Sequence, residues 1–199
     1  MRILLVHAHP NPLSFNHAIV ERAVIALEAA GHSVDRLDLY AEGFNPVMSR
    51  EERASYHTAG TNLEPPFVRD HLARLKAAEG LLLVFPTWWY DMPAILKGWL
   101  DRVWVPHETF TLPTSPSEPI RGLMTNLRWI GGITTTGAPW WWTKIVGEPA
   151  RRVICRGIRA ICARRCRTAW LSLHSMDKQS DAARTNFLTR VAEMMAMVR

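Results

Sequence analysis

No stretch of the sequence approaches the roughly 20 consecutive apolar residues that a membrane-spanning helix needs; the longest strongly apolar run is Leu81–Phe85. Membrane insertion is not expected. Cysteine is scarce and odd in number, with Cys155, Cys162 and Cys166 in one Arg-rich stretch, which argues for free thiols over a disulfide framework. Zinc would need a close Cys-x-x-Cys pair and a fourth ligand such as His174, so no metal site is expected. There is no Gly-x-Gly-x-x-Gly and no Gly-Lys-Ser/Thr, which excludes the dinucleotide fingerprint of dehydrogenases and the nucleoside-triphosphate loop. Internal repeats and low-complexity tracts are also missing. The opening stretch MRILLVHAHPNPLSFNHAIV is broken by His7, His9 and two prolines and lacks a small-residue cleavage site, so it does not read as a signal peptide and a cytoplasmic protein is expected.

What remains is ordinary globular composition. Hydrophobic residues at 48% and charged residues at 21% suit a folded chain, and 199 residues suit one domain spanning 1–199. Much of the net charge of +6 is local, because Arg151, Arg152, Arg156, Arg159, Arg164, Arg165 and Arg167 crowd a single segment. That cluster reads as a solvated helix face, a site for phosphates, or an anion-seeking surface. If the segment is helical, its three cysteines share one face as small buried hydrophobes.

Apolar patterning alternates strands with helices. Arg2–Ala8 reads as a buried strand, Asn16–Ala30 as a helix stopped by Gly31, and Ser33–Leu39 as a strand nearer the sheet edge. A long excursion, Tyr40–Pro66, carries Gly43, Pro46, Gly60, Pro65 and Pro66 with one short helix at Arg50–Tyr56. Phe67–Ala78 is a helix, Leu81–Phe85 the clearest central strand, and Ala94–Trp104 a helix opened by Pro93 at its first position. A second irregular segment holds Pro106, Pro113, Pro116 and Pro119. Leu127–Thr135 and Thr168–Leu173 are strands, Glu148–Cys162 is helical, and Asp181–Val198 is a closing helix capped by Ser180 or Asp181. The expected fold is α/β, a doubly wound five-stranded parallel sheet in the order 2-1-3-4-5, with ligands beyond the carboxyl ends of its strands.

That expectation confines function to three loops. The first, His9–Asn16, ends at a helix N-terminus, where free N–H groups favour an anion such as phosphate; Ser14 and Asn16 also suit helix capping. The second, Phe85–Pro93, places Trp88, Trp89 and Tyr90 between two prolines, and a flat tricyclic ring is the partner such aromatics suit. The third, Thr134–Pro139, offers hydroxyls and N–H donors to the polar edge of the same ring.

The segments AHPNPLSFNHA, DLYAEGFNPVMS and FPTWWYDMPAILKGWLDRVW, followed by a Thr-Thr-Gly turn, resemble the NAD(P)H:quinone oxidoreductase family of flavodoxin-like fold over about the first 140 residues. The resemblance implies a flavin, FAD or alternatively FMN, whose pyrophosphate lies on His9, Ser14, Phe15 and Asn16. Its ring would rest on Pro86, Thr87, Trp88, Trp89 and Tyr90, with Thr135, Thr136 and Gly137 at the other edge. It further implies NAD(P)H as electron donor, a quinone or similar flat electrophile as acceptor in a ping-pong reaction, and a homodimer with the site at the interface. The sequence departs from the family after Gly137, where Ala138-Pro139 and Trp140-Trp141-Trp142-Thr143 stand and no counterpart of the family's Tyr and His acid–base pair is evident. The same motifs would serve a flavin-binding regulatory subunit of a membrane transporter such as a potassium efflux system. Nucleic-acid binding is not expected, because no aromatics interleave with the arginine cluster.

Overall fold

A computed structural model of the protein describes residues 1–60, 66–115 and 117–199. Pro65 and Pro116, counted above among the loop residues, lie outside these. Five strands form one parallel sheet: β1 (Arg2–His7), β2 (Ser33–Asp38), β3 (Gly80–Pro86), β4 (Trp129–Thr135) and β5 (Arg167–Leu173), in the order β2-β1-β3-β4-β5. The expected order is therefore the one observed. Every residue of β3 and β4 is buried, as continuous apolar runs in a doubly covered sheet require.

Alternation along β1 separates two cores. Leu4 and Val6 join Leu81, Leu83 and Phe85 of β3 beneath α3 (Pro66–Ala77) and α4 (Ala94–Val103). Ile3 and Leu5 join Leu82, Val84 and Ile133 beneath α1 (Phe15–Ala29), whose Ile19, Val20, Ala23 and Leu27 return at helical spacing. The excursion after β2 holds α2 (Arg50–Ser55), closed at its start by a reciprocal Ser49–Glu52 capping box. It is pinned by buried Arg102 of α4, which donates to Glu52 Oε1 at 2.7 and 2.9 Å and to the Asn45 carbonyl, over the Phe67 ring.

Three expectations need correction. Pro93 caps α4 instead of opening it, with φ −57° and ψ 149°, so the helix begins at Ala94. Trp140–Val146, left without a structure by sequence patterning, is a helix, α5. The helix expected over Glu148–Cys162 divides into α6 (Pro149–Arg152) and a π-helical segment at Val153–Ile158, and it ends before the second cysteine. The cysteines accordingly do not share a helix face: Cys166 is buried ahead of β5, whereas Cys155 and Cys162 are half-buried. The chain closes with α7 (Asp181–Ala196), capped by the Ser180 hydroxyl.

Candidate functional site

At the carboxyl edge of the sheet the loops after β1, β3 and β4 meet. A cleft of about 330 Å³ is lined by His9, Ser14, Phe15, Asn16, Pro86, Thr87, Trp88, Thr135, Thr136 and Gly137. Trp89 and Tyr90 border an adjoining cleft with Thr87, Thr136 and Gly137. The structure thus brings together all twelve residues singled out from the sequence.

The first loop is folded by its own polar groups. Asn11 donates its N–H to His9 Nδ1 at 3.0 Å, and Asn11 Oδ1 accepts from Leu13 N at 2.8 Å. With Nδ1 accepting, the His9 proton resides on Nε2 as a donor, and burial holds the imidazole below the ordinary histidine value. Ser14 caps α1 by accepting from His17 N at 3.2 Å. The capping role weighed for Asn16 is not the one it takes: its buried Nδ2 donates to Thr135 Oγ1 at 2.9 Å, tying the first loop to the third, while Oδ1 is buried without a partner. The N–H groups of Phe15 and Asn16, in the first turn of α1, have no acceptor among the described residues and lie at the positive end of the helix dipole.

The second loop is a tight turn. Trp88 and Asp91 exchange backbone hydrogen bonds of 2.9 and 3.0 Å around Trp89 and Tyr90, which have φ +48° and +65°. Such a turn normally carries Asn-Gly, and two bulky residues there store strain. Trp89 is 95% exposed, so its position is not set by packing in the core. The turn is joined to the third loop through Thr87, whose N–H donates to Thr135 O at 2.7 Å and whose hydroxyl lies 2.8 Å from Thr134 Oγ1. Trp142 Nε1 donates to the Tyr90 hydroxyl at 2.8 Å, which brings α5 over the turn.

Sequence patterning missed a fourth loop, the one after β5. Ser175 N donates to Ala138 O and Met176 N to Thr136 O, both at 3.0 Å, and Met176 and Asp177 complete the cleft wall. A Cβ at Gly137 would lie 3.0 Å from Asp177 Oδ2, so a side chain there would crowd the wall. The signal in sequence was only the Ser-Met-Asp stretch following a strand. His174, in the same loop, lines a neighbouring cavity with Tyr90 and Thr143; its Nδ1 is 3.5 Å from Thr143 Oγ1, and burial lowers its pKa.

Comparison with known proteins agrees with this architecture. A family model described as flavodoxin-like fold matches residues 1–188. The NAD(P)H dehydrogenase [quinone] 1 of Rattus norvegicus is 36% identical over 152 residues, covering 69% of this chain and 54% of the relative. The chain spans about half the length of the curated relatives it matches. Among solved structures, Smu.1420 of Streptococcus mutans UA159 is 29% identical with TM-score 0.84, each chain covered fully. The NAD(P)H:quinone oxidoreductase of Methanothermobacter marburgensis is 25% identical with TM-score 0.86, over 100% of this chain and 99% of that one.

Proposed function

This chain belongs to the flavodoxin-like fold family, and from that premise we propose that it is a flavin-dependent oxidoreductase passing hydride from NAD(P)H to a quinone or similar flat electrophile. The observation that carries the reading is the convergence of three loops on one cleft that has a helix N-terminus at one end and a strained aromatic turn at the other. The full-length likeness to a solved NAD(P)H:quinone oxidoreductase supports it.

The residues fit such a cofactor. His9 Nε2–H and the first-turn amides of α1 suit phosphate oxygens, whereas the unpartnered Asn16 Oδ1, an acceptor, suits a hydroxyl of the cofactor. The lining holds no Lys or Arg, so a phosphate or diphosphate there would be held by N–H and O–H donors. We favour FAD, with FMN as the alternative. Thr87, Trp89, Tyr90 and the Thr136–Gly137 turn suit the ring and its polar edge.

A bound flavin would supply the hydride chemistry, taking hydride from NAD(P)H and giving it up to the acceptor in separate half-reactions at one place. The chain's share is positional. The Asn16–Thr135 and Thr87–Thr135 hydrogen bonds hold the phosphate and ring ends in fixed register. Because the Tyr90 oxygen already accepts from Trp142, its own O–H is left to donate to a carbonyl oxygen of the acceptor. Trp142, bonded to Tyr90 through its Nε1, adds apolar surface beside the ring site. The exposed Leu13 of the first loop, Trp89 of the turn and Trp140 and Trp141 of α5 suit a second copy of the chain, forming a homodimer.

The test is direct: purified protein should be yellow, release FAD on heating, oxidise NAD(P)H with menadione and sediment as a dimer. Colourless protein whose NAD(P)H oxidation is not stimulated by added FAD or FMN would overturn the reading.

A further inference from the structure

A second cleft, of about 410 Å³, lies beside α5 and α6 and is lined by Lys144, Glu148, Arg151, Arg152, Cys155 and Arg156, with Thr168 on its floor. Glu148 at the start of α6, Arg151 and Arg152 within it, and Cys155 and Arg156 in its π-helical continuation all line this one cleft. Four of the lining side chains are cations and one is an anion. Glu148 is already engaged by Lys144 at 2.5 Å and Arg151 at 3.0 Å. Arg152 and Arg156 are exposed and have no ion pair among the described residues. Crowding like charges on one face costs stability unless an anion is supplied from outside.

Backbone geometry leaves room for one of these guanidiniums. Gly147 has φ +93°, and a Cβ there would sit 3.0 Å from Arg152 Nη2. The guanidinium therefore packs where any other residue at 147 would put a side chain, in a backbone region that L residues avoid. Glu148 follows at φ +49°, a conformation unfavourable for a residue other than glycine.

The basic cleft also connects with the ring site. A narrow cavity lined by Thr87, Tyr90 and Thr136 at one end has Glu148 and Arg151 at the other. It shares the first three residues with the aromatic cleft and the last two with the basic one. From His174 to Thr168 the path follows β5, about 20 Å at the usual rise per strand residue. That cavity, at about 30 Å³, is too small to hold a dinucleotide, so an extended donor with its reactive ring over Tyr90 would cross the surface above it to reach the basic cleft.

We propose that this cleft is a phosphate subsite for the electron donor, in which Arg152 and Arg156 take the 2′-phosphate that distinguishes NADPH from NADH. The inference rests on the flavin-oxidoreductase reading of the adjoining cleft. Calorimetry on the purified holoprotein compares 2′,5′-ADP, 5′-AMP and inorganic phosphate, with Arg152→Ser/Arg156→Ser as the variant. The wild type should bind 2′,5′-ADP at least tenfold more tightly than 5′-AMP, and the variant should lose that preference. The NADPH-to-NADH ratio of kcat/KM should fall by the same factor. Equal binding of 2′,5′-ADP and 5′-AMP by the wild type would overturn the proposal. So would a variant that keeps the preference, and inorganic phosphate binding as tightly as 2′,5′-ADP would reassign the cleft to free anions. The visible spectrum of each sample reports flavin separately, so failure of the oxidoreductase reading is distinguished from failure of the phosphate subsite.

Discussion

Trp142 Nε1 stands 2.8 Å from the Tyr90 hydroxyl oxygen, joining a helix that sequence patterning did not show to a strained turn. The bond occupies one acceptor position of the tyrosine and leaves its proton free. Tyr90→Phe should lower kcat/KM for menadione about tenfold, the order expected for one lost hydrogen bond to a developing charge. Flavin content and the rate of anaerobic reduction by NAD(P)H should be little changed. Stopped-flow measurement of the two half-reactions separates these effects, and equal loss in both would assign Tyr90 to ring packing instead.

Trp89 is nearly fully exposed at φ +48°, so glycine there removes strain without emptying any core. Trp89→Gly should raise the urea midpoint by the equivalent of roughly 0.5–1 kcal/mol while lowering flavin occupancy, a trade of stability against function. A variant that is both less stable and fully occupied would contradict this.

Arg102 is buried against Glu52, and its removal leaves a carboxylate in a largely enclosed position. Arg102→Ala should destabilise the fold by about 3 kcal/mol and loosen the segment after β2. Lysine should rescue only part of this, because a single ammonium cannot reproduce the guanidinium's fork. Chemical denaturation and limited proteolysis within residues 40–60 provide the readout.

Acid should weaken the fold through its histidines. Burial lowers the pKa of His7 despite the opposing pull of Asp38, and burial lowers His9 and His174 as well. The unfolded chain, with histidines near the ordinary value of about 6.5, then binds more protons than the folded one. Stability is full above that value and declines as pH falls below it toward the folded values. Urea midpoints at pH 7.5 and 5.5 should differ in that direction, and His7→Gln should shrink the difference. A flat profile would mean that the burial penalty is relieved by groups not identified above.

Strand order and the three site loops were legible because buried parallel strands print continuous apolar runs, as at Leu81–Phe85, and because proline and glycine punctuate their ends. The helix at Trp140 was not, since three consecutive tryptophans obscure any amphipathic period. Nor was the break at Val153, where a π-helical turn changes the spacing on which cysteine and arginine faces were judged. Asn16 shows a further limit. An asparagine at a helix start reads locally as a cap, and its bond to Thr135 depends on a residue 119 positions away. The loop after β5 was missed for a similar reason, because its place is set by carbonyls of Thr136 and Ala138 and not by its own composition.

The distribution of indoles gives the molecule an optical property. Trp88 and Trp89 line the clefts and Trp142 is bonded to Tyr90 beside them, all three in contact with solvent, while Trp99, Trp104 and Trp129 are enclosed. Emission should therefore contain a red, quencher-accessible component from the rim and a blue, protected one from the core. A ligand entering the clefts should quench the red component more than the blue one, so occupancy can be followed in unlabelled protein even when no turnover takes place.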